Sequence, residues 1–368
     1  MTEAHYWYWI NNIEGIGRKT VWAMMEYFGS PETVFYAPEE EIKKFLKKES
    51  VTNECIASRQ EEQVVREFLE LEKRGIRFLY PSMPEYPRQY QYIPDAPCGL
   101  YLKGSLPPEH KKIVAVIGAR NCTRYGLEMA RFFGRELAVS GISVISGLAR
   151  GVDGMAHQGA LEGNGYTMGI IGGGIDQVYP KENYELFMKL QEQGGILSES
   201  NIGIAPVSGL FPQRNRLISG LCDGILVIEA MEKSGTFITV DQGLEQGKEV
   251  FAVPGRISDI KSVGCNHLIK LGAHIVTEVA DILDILHVKG NDSAKNSYFD
   301  ALQSNISKMS LAPLEKMVYS CLRIDPRYID DIIADVQIAP QDVLKALNRM
   351  VLDSIIIETA RNYYAIRL

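Results

Sequence analysis

IVAVIGARNCTRYGLEMARFFGRELAVSGISVISGLARGVDGMAHQGALEGNGYTMGIIGGG, residues 113–174, decides the fold. Three short apolar runs, IVAVIG, ISVISG and YTMGIIGGG, are separated by two segments with helical spacing, one from Tyr125 and one from Val152. The alternation continues outward through a helix from Lys181, GGILSE (194–199), a helix near Asn215, GILVIEA (224–230), a helix from Thr236, EVFAVPG (249–255) and AHIVTE (273–278). Near-continuous apolar strands between amphipathic helices predict a parallel sheet covered on both faces, a doubly wound, Rossmann-like α/β domain.

On either side the character changes. Residues 1–72 read as small helices, a SAM- or helix-hairpin-helix-like unit in which IEGIGRKT, with Gly15 and Gly17, resembles half of such a hairpin. Residues 73–288 hold the α/β domain behind a Pro- and Tyr-rich lead-in strand and wrap (76–110). A polar linker follows at 289–303. Residues 304–368 give three short helices and a hairpin, the pattern of a winged helix, in which Gln341–Met350 takes the place of the recognition helix.

The 368 residues carry a formal net charge of −7, with 46% hydrophobic and 23% charged residues, ordinary for soluble globular protein. The N-terminus lacks the basic and apolar signature of a secretory signal, and no apolar stretch reaches membrane-spanning length. Six cysteines without CxxC spacing read as reduced thiols, so a cytoplasmic protein without disulfides, metal or cofactor is expected. An acidic chain binds a phosphate backbone only through a local patch. Four windows have lost their carboxylates: between Glu109 and Glu128, Glu136 and Asp153, Glu162 and Asp176, and Glu199 and Asp223.

In a doubly wound sheet, ligands lie beyond the carboxyl ends of the strands, where glycine turns and helix N-termini offer N–H groups to anions. Here those ends read GARNCTRYG (118–126), SGLARGVDGMAH (146–157), GGGIDQVYPKEN (172–183), FPQRNR (211–216) and EAMEKSGTFIT (229–239). The strict GxGxxG fingerprint is absent, as are Walker, HExxH and GxSxG sequences. Phe211, before Pro212, Arg214 and Arg216 in an acid-free loop, is the best candidate for a base-stacking ring, with Tyr179 second. Asp153 and His157 share a helix face; Asp153 reads as a cap or first-turn acid.

These blocks, together with LSES, EVFAVPG and GCNHLIKLGA, resemble in order and spacing the core of the DprA/Smf family over roughly residues 75–285. The resemblance implies a non-enzymatic protein that binds single-stranded DNA, dimerises through the Rossmann-like domain, and loads the RecA recombinase during natural transformation. It implies Arg120 and Lys181 as principal phosphate contacts and Phe211 as the stacking ring. Arg214, Asn215 and Arg216 would shape the pocket, and Ser234, Gly235 and Thr236 would add polar contacts. Gly118, Thr123, Gly147 and Asn183 complete the expected DNA-binding set. GAR stands where the family often has GSR, and Val152 where Ile is common.

Two other readings compete. Phosphoribohydrolases of the lysine-decarboxylase-like group share such a core but carry a catalytic glutamate in PGGxGTxxE, where this chain has Thr239. Glu199 is the carboxylate on which an enzyme reading would be tested. A winged-helix regulator with a nucleotide-sensing domain is the other, against which the acidic balance of the C-terminal helix argues.

Overall fold

The computed structural model describes residues 1–288, 298, 310–323 and 325–367. Of the expected linker at 289–303, all but Tyr298 lies outside the described residues. Six helices open the chain: α1 (Glu3–Asn12), α2 (Arg18–Phe28), α3 (Pro31–Tyr36), α4 (Glu39–Leu46), α5 (Glu49–Ala57) and α6 (Glu61–Lys73). Ser30 caps α3 by accepting the Thr33 N–H, with Pro31 at the first helical position, where its missing N–H costs nothing. The buried face of α1, Tyr6 to Ile10, packs in one apolar cluster with Phe78, Tyr101, Phe187 and Ile196. The helical region therefore shares its core with the edge of the sheet that follows.

That sheet has nine strands: β1 (Arg77–Leu79), β2 (Leu100–Gly104), β3 (Ile113–Ile117), β4 (Ser143–Ser146), β5 (Thr167–Ile171), β6 (Gly195–Ser198), β7 (Gly224–Val227), β8 (Glu249–Ala252) and β9 (His274–Ile275). Their order is β1-β2-β6-β5-β4-β3-β7-β8-β9. From β6 to β9 every pair is parallel, as the apolar runs predict; the lead-in adds β1 and β2 antiparallel at one edge, making the sheet mixed.

The period-2 geometry of a strand divides β3 between two cores. Ile113, Ala115 and Ile117 face α10 (Leu210–Leu221), α11 (Thr236–Glu245) and α12 (Val263–Lys270). Val114 and Val116 face α7 (Arg124–Val139), α8 (Val152–Glu162) and α13 (Val279–Ile285). The helix α9 (Tyr184–Gln193) lies toward the N-terminal cluster. α7 and α8 touch backbone to backbone because Gly134 and Gly159 have no Cβ; one at Gly159 would meet the Arg131 carbonyl carbon at 2.8 Å. One expectation fails: FPQRNR is no loop, since α10 already begins at Leu210 and carries Phe211, Arg214 and Arg216.

The C-terminal unit has its own apolar core. It consists of α14 (Pro313–Cys321), β10 (Arg327–Tyr328), α15 (Ile329–Val336), α16 (Pro340–Leu352), β11 (Ile356–Ala360) and β12 (Tyr363–Ile366), with the strands in the order β10-β12-β11.

Behind the sheet, His157 of α8 is fully buried, and its Nδ1 lies 2.6 Å from the Thr167 hydroxyl. That hydroxyl donates to the Val144 carbonyl, so Nδ1 carries a proton, while Nε2 is buried with no partner for a second one and the ring stays neutral. Burial, with the nearby Arg214 charge in support, pulls its pKa from 6.5 to about 3. Between those values the unfolded chain binds a proton that the folded one refuses. Stability is therefore full above pH 6.5 and falls by about 1.4 kcal/mol for each pH unit below it. Urea titrations at several pH values should show His157→Gln losing stability with acid less steeply by about one proton; an unchanged slope refutes the neutral buried histidine.

Candidate functional site

The strand order sets the place. β3 sends the chain one way, to β4, β5 and β6, and β7 returns to its other side, so the connections diverge at the carboxyl ends of β3 and β7. Such a switch point opens a crevice in α/β sheets. Here it is a cavity of about 430 Å³ walled by Gly118 and Arg120 after β3, Asp153 on α8, Phe211 and Asn215 on α10, and Ser234–Thr236 at the start of α11.

Its floor is a buried pair of opposite charges, Arg214 and Asp153, joined through the Gly147 peptide. Arg214 is 7% exposed, and its Nη1 donates to the Gly147 carbonyl at 2.8 Å and to the Ile170 carbonyl, joining the ends of β4 and β5. Asp153, also 7% exposed, accepts the Gly147 N–H at 3.1 Å and supplies the counter-charge. Burial is the larger influence on both groups. It draws Arg214 down to about 10 and pushes Asp153 up, each opposed by the other's charge. Arg214 stays cationic at neutral pH. Position 147 must be glycine, because a Cβ there would sit 2.7 Å from the guanidinium carbon.

Several residues of the expected DNA-binding set have partners within the protein. Gly147 and Arg214 spend their polar groups on each other and on Asp153. Arg216, 5% exposed, pairs with Glu199 at the end of β6 and does not line the crevice. Thr123 caps α7 by accepting the Gly126 N–H at 3.0 Å, while its own N–H and hydroxyl go to Glu229. The carboxylate of Glu229 thus fills the helix N-terminus where a phosphate was expected. Asn183 donates to the Leu148 and Ala149 carbonyls, both at 3.0 Å, fastening the loop after β4. Asp153 does sit in the first turn of α8, but it serves the strand end and a cation, and it has no contact role with His157.

What remains outward is compact. The Arg120 guanidinium lies 4.8 Å from the centre of the Phe211 ring, and Phe211 stacks on Tyr179 at 5.7 Å and 27°. Arg120 is exposed and has no ion pair among the described residues; Lys181, two residues past Tyr179, is exposed as well. Ser234 and Thr236 hydrogen-bond each other at 2.9 Å around the exposed Gly235, at the positive end of α11. Asn215 accepts from Arg214 Nε at 3.2 Å and lines the wall. Asp153 is the only acid among the residues lining the crevice, and Thr239 is buried in its wall.

The Gly15–Gly17 turn is occupied differently from a phosphate-binding hairpin: Arg18 and Lys19 of α2 both pair with Asp95, at 3.6 and 3.4 Å. Among the described residues no group of three His, Cys, Asp or Glu side chains could hold a metal, and no helix is long and apolar enough to cross a membrane. Glu229 escaped the sequence reading. A carboxylate closing the apolar run GILVIEA was the available signal.

The family model for DNA recombination-mediator protein A matches residues 77–287. Protein Smf of Escherichia coli K12 is 41% identical over 234 residues, which are 62% of this chain and 63% of that protein. A solved structure of DNA processing protein A from Streptococcus pneumoniae superposes with a TM-score of 0.68 at 32% identity, covering 77% of this chain and 98% of that one. Another, from Helicobacter pylori and described for its single-stranded DNA binding mode, gives 0.52 at 28% identity, covering 59% and 97%.

Arg214→Met should leave Asp153 buried without its cation and cost about 3–5 kcal/mol of stability. Arg120→Ala, which removes only an exposed contact over a ring, should cost about 1 kcal/mol or less. Denaturant unfolding separates them, and equal losses would contradict the division into buried and outward arginines.

Proposed function

The chain belongs to the DNA recombination-mediator protein A family, and from that premise we propose that it binds single-stranded DNA without strong sequence preference and loads RecA onto it during natural transformation and recombination. The observation that carries this reading is the Arg120–Phe211–Tyr179 array at the mouth of the switch-point crevice, with Lys181 beside it. Exposed cations beside aromatic faces suit a chain of phosphates with unpaired bases. In a duplex the bases are already paired and stacked, so the ring selects for single strands.

Phosphate holding falls to Arg120, Lys181 and the start of α11; Gly118 lines the crevice, its missing Cβ leaving room for Val152 and the Glu229 carbonyl. Phe211 takes a base, either against Tyr179 or in exchange for Arg120. The reading is non-enzymatic, supported by the locked state of Asp153 and by Thr239 at the place of a catalytic glutamate. One pocket grips a short stretch only. A homodimer through the Rossmann-like domain would set two pockets on one strand and gain affinity through effective concentration.

We read 1–72 as a SAM- or helix-hairpin-helix-like domain, 73–288 as the DNA-binding domain and 304–368 as a winged helix, in a cytoplasmic protein. On α16, Lys345 pairs with Asp342, and Arg349 lies 3.4 Å from Glu315 and 3.9 Å from Asp353. Charges so neutralised favour protein contact over sequence-specific duplex reading.

Fluorescence anisotropy with labelled poly-dT and the matching duplex, over a range of salt, tests the proposal. The single strand should bind preferentially and weaken with salt. Arg120→Ala should flatten the salt dependence by about one ion, whereas Phe211→Ala should cost about 1–3 kcal/mol with the slope kept. Absence of single-strand binding, or equal slopes for both variants, overturns the assignment.

A further inference from the structure

The C-terminal unit is seated at the edge of the sheet that carries the crevice. Arg124, in the first turn of α7 and four residues beyond Arg120, donates from Nη2 to the Ile366 carbonyl of β12 at 2.8 Å. Its Nε is buried without a hydrogen-bond partner. Arg256, in the loop leaving β8, pairs with Asp325 of the C-terminal unit at 3.0 Å, both side chains being well exposed. Tyr298, in the segment ahead of that unit, donates to Glu128 of α7 and stands edge-on to Phe132 at 5.4 Å.

Two arginines on the strand-end edge, one of them on the same turn as Arg120, are thus held by a carbonyl and a carboxylate of another unit. Resting on the single-strand reading above, we propose that the C-terminal unit is a docked competitor of DNA. A strand long enough to run from the Arg120–Phe211 site past the start of α7 takes Arg124 and Arg256 and displaces the unit. The contacts suit exchange. One hydrogen bond and one exposed ion pair are few contacts to give up, while each phosphate neutralised also releases counterions. Coupling of this kind is reciprocal, so loosening the dock must tighten binding.

The test compares Asp325→Ala with Asp330→Ala in the intact chain. Both remove one exposed acid from the same unit, but only Asp325 pairs with Arg256. With an oligothymidylate of about 20 nucleotides, Asp325→Ala should bind about two- to five-fold tighter and Asp330→Ala as wild type. A strand of about 5 nucleotides, confined to the crevice, should bind all three alike. Hydrogen exchange in 313–366 should quicken when the wild-type chain is saturated with the longer strand. Equal affinities for the two variants, or unchanged exchange at saturation, overturn the competition and leave the DNA reading standing. Failure of the wild-type chain to bind either strand overturns both.

Discussion

A guanidinium buried at the ends of parallel strands is an expensive object, and the site is built around one. Arg214 reaches back from α10 to the carbonyls of Gly147 and Ile170, so a single side chain ties the helix to β4 and β5 at once. Carbonyls at strand ends have lost their ladder partners, and a cation with several donors satisfies them where water is excluded. Asp153 makes this tolerable by supplying charge and by taking the Gly147 N–H. Because α10 is fixed in this way, Phe211, three residues earlier on the same helix, has a defined place at the rim.

The same device recurs with different partners. At the end of β6, Glu199 holds Arg216; just past β7, Glu229 holds Thr123 and with it the first turn of α7. Each carboxylate stands where the chain leaves a strand, and each closes a position that an anion would otherwise take. The crevice is therefore selective about where it is positive. Beneath the surface Arg214, Arg216 and Thr123 are held by internal partners, and attraction is left to Arg120, Lys181 and the start of α11. On a chain of net charge −7 the outward positive charge at the crevice is thus local, without a broad basic face.

The sheet was legible because β3, β4, β5 and β7 are short apolar runs flanked by helical periodicity, and burial on both faces admits little else. Arg120, Lys181 and Phe211 were legible as exposed or rim residues because strand-end turns place them there whatever the neighbouring contacts. Arg214 and Arg216 were not. In an extended loop, residues two apart share a face and look like a paired basic patch; on a helix they diverge by about 200°. Pro212 encouraged the loop reading, yet it sits in the first turn, where backbone N–H groups have no intrahelical acceptor to lose. The inward partners of Thr123 and Asn183 were hidden for a related reason: a short polar side chain near a glycine turn serves an anion or a cap equally well, and a partner distant in sequence leaves no local signal. Glu229 lies 106 residues from Thr123.

Those long-range partners explain why the site's residue types and its contacts are separable. Glycine, threonine and asparagine at the strand ends shape the turns, and the buried arginine–carboxylate pairs fix the turns relative to one another. A substitution among them moves the rim as a unit, whereas one at Arg120 or Lys181 changes only what the rim attracts. The blocks that make the sequence readable as a family thus report mainly on construction. What the rim can offer a ligand rests on the few side chains that construction leaves facing out.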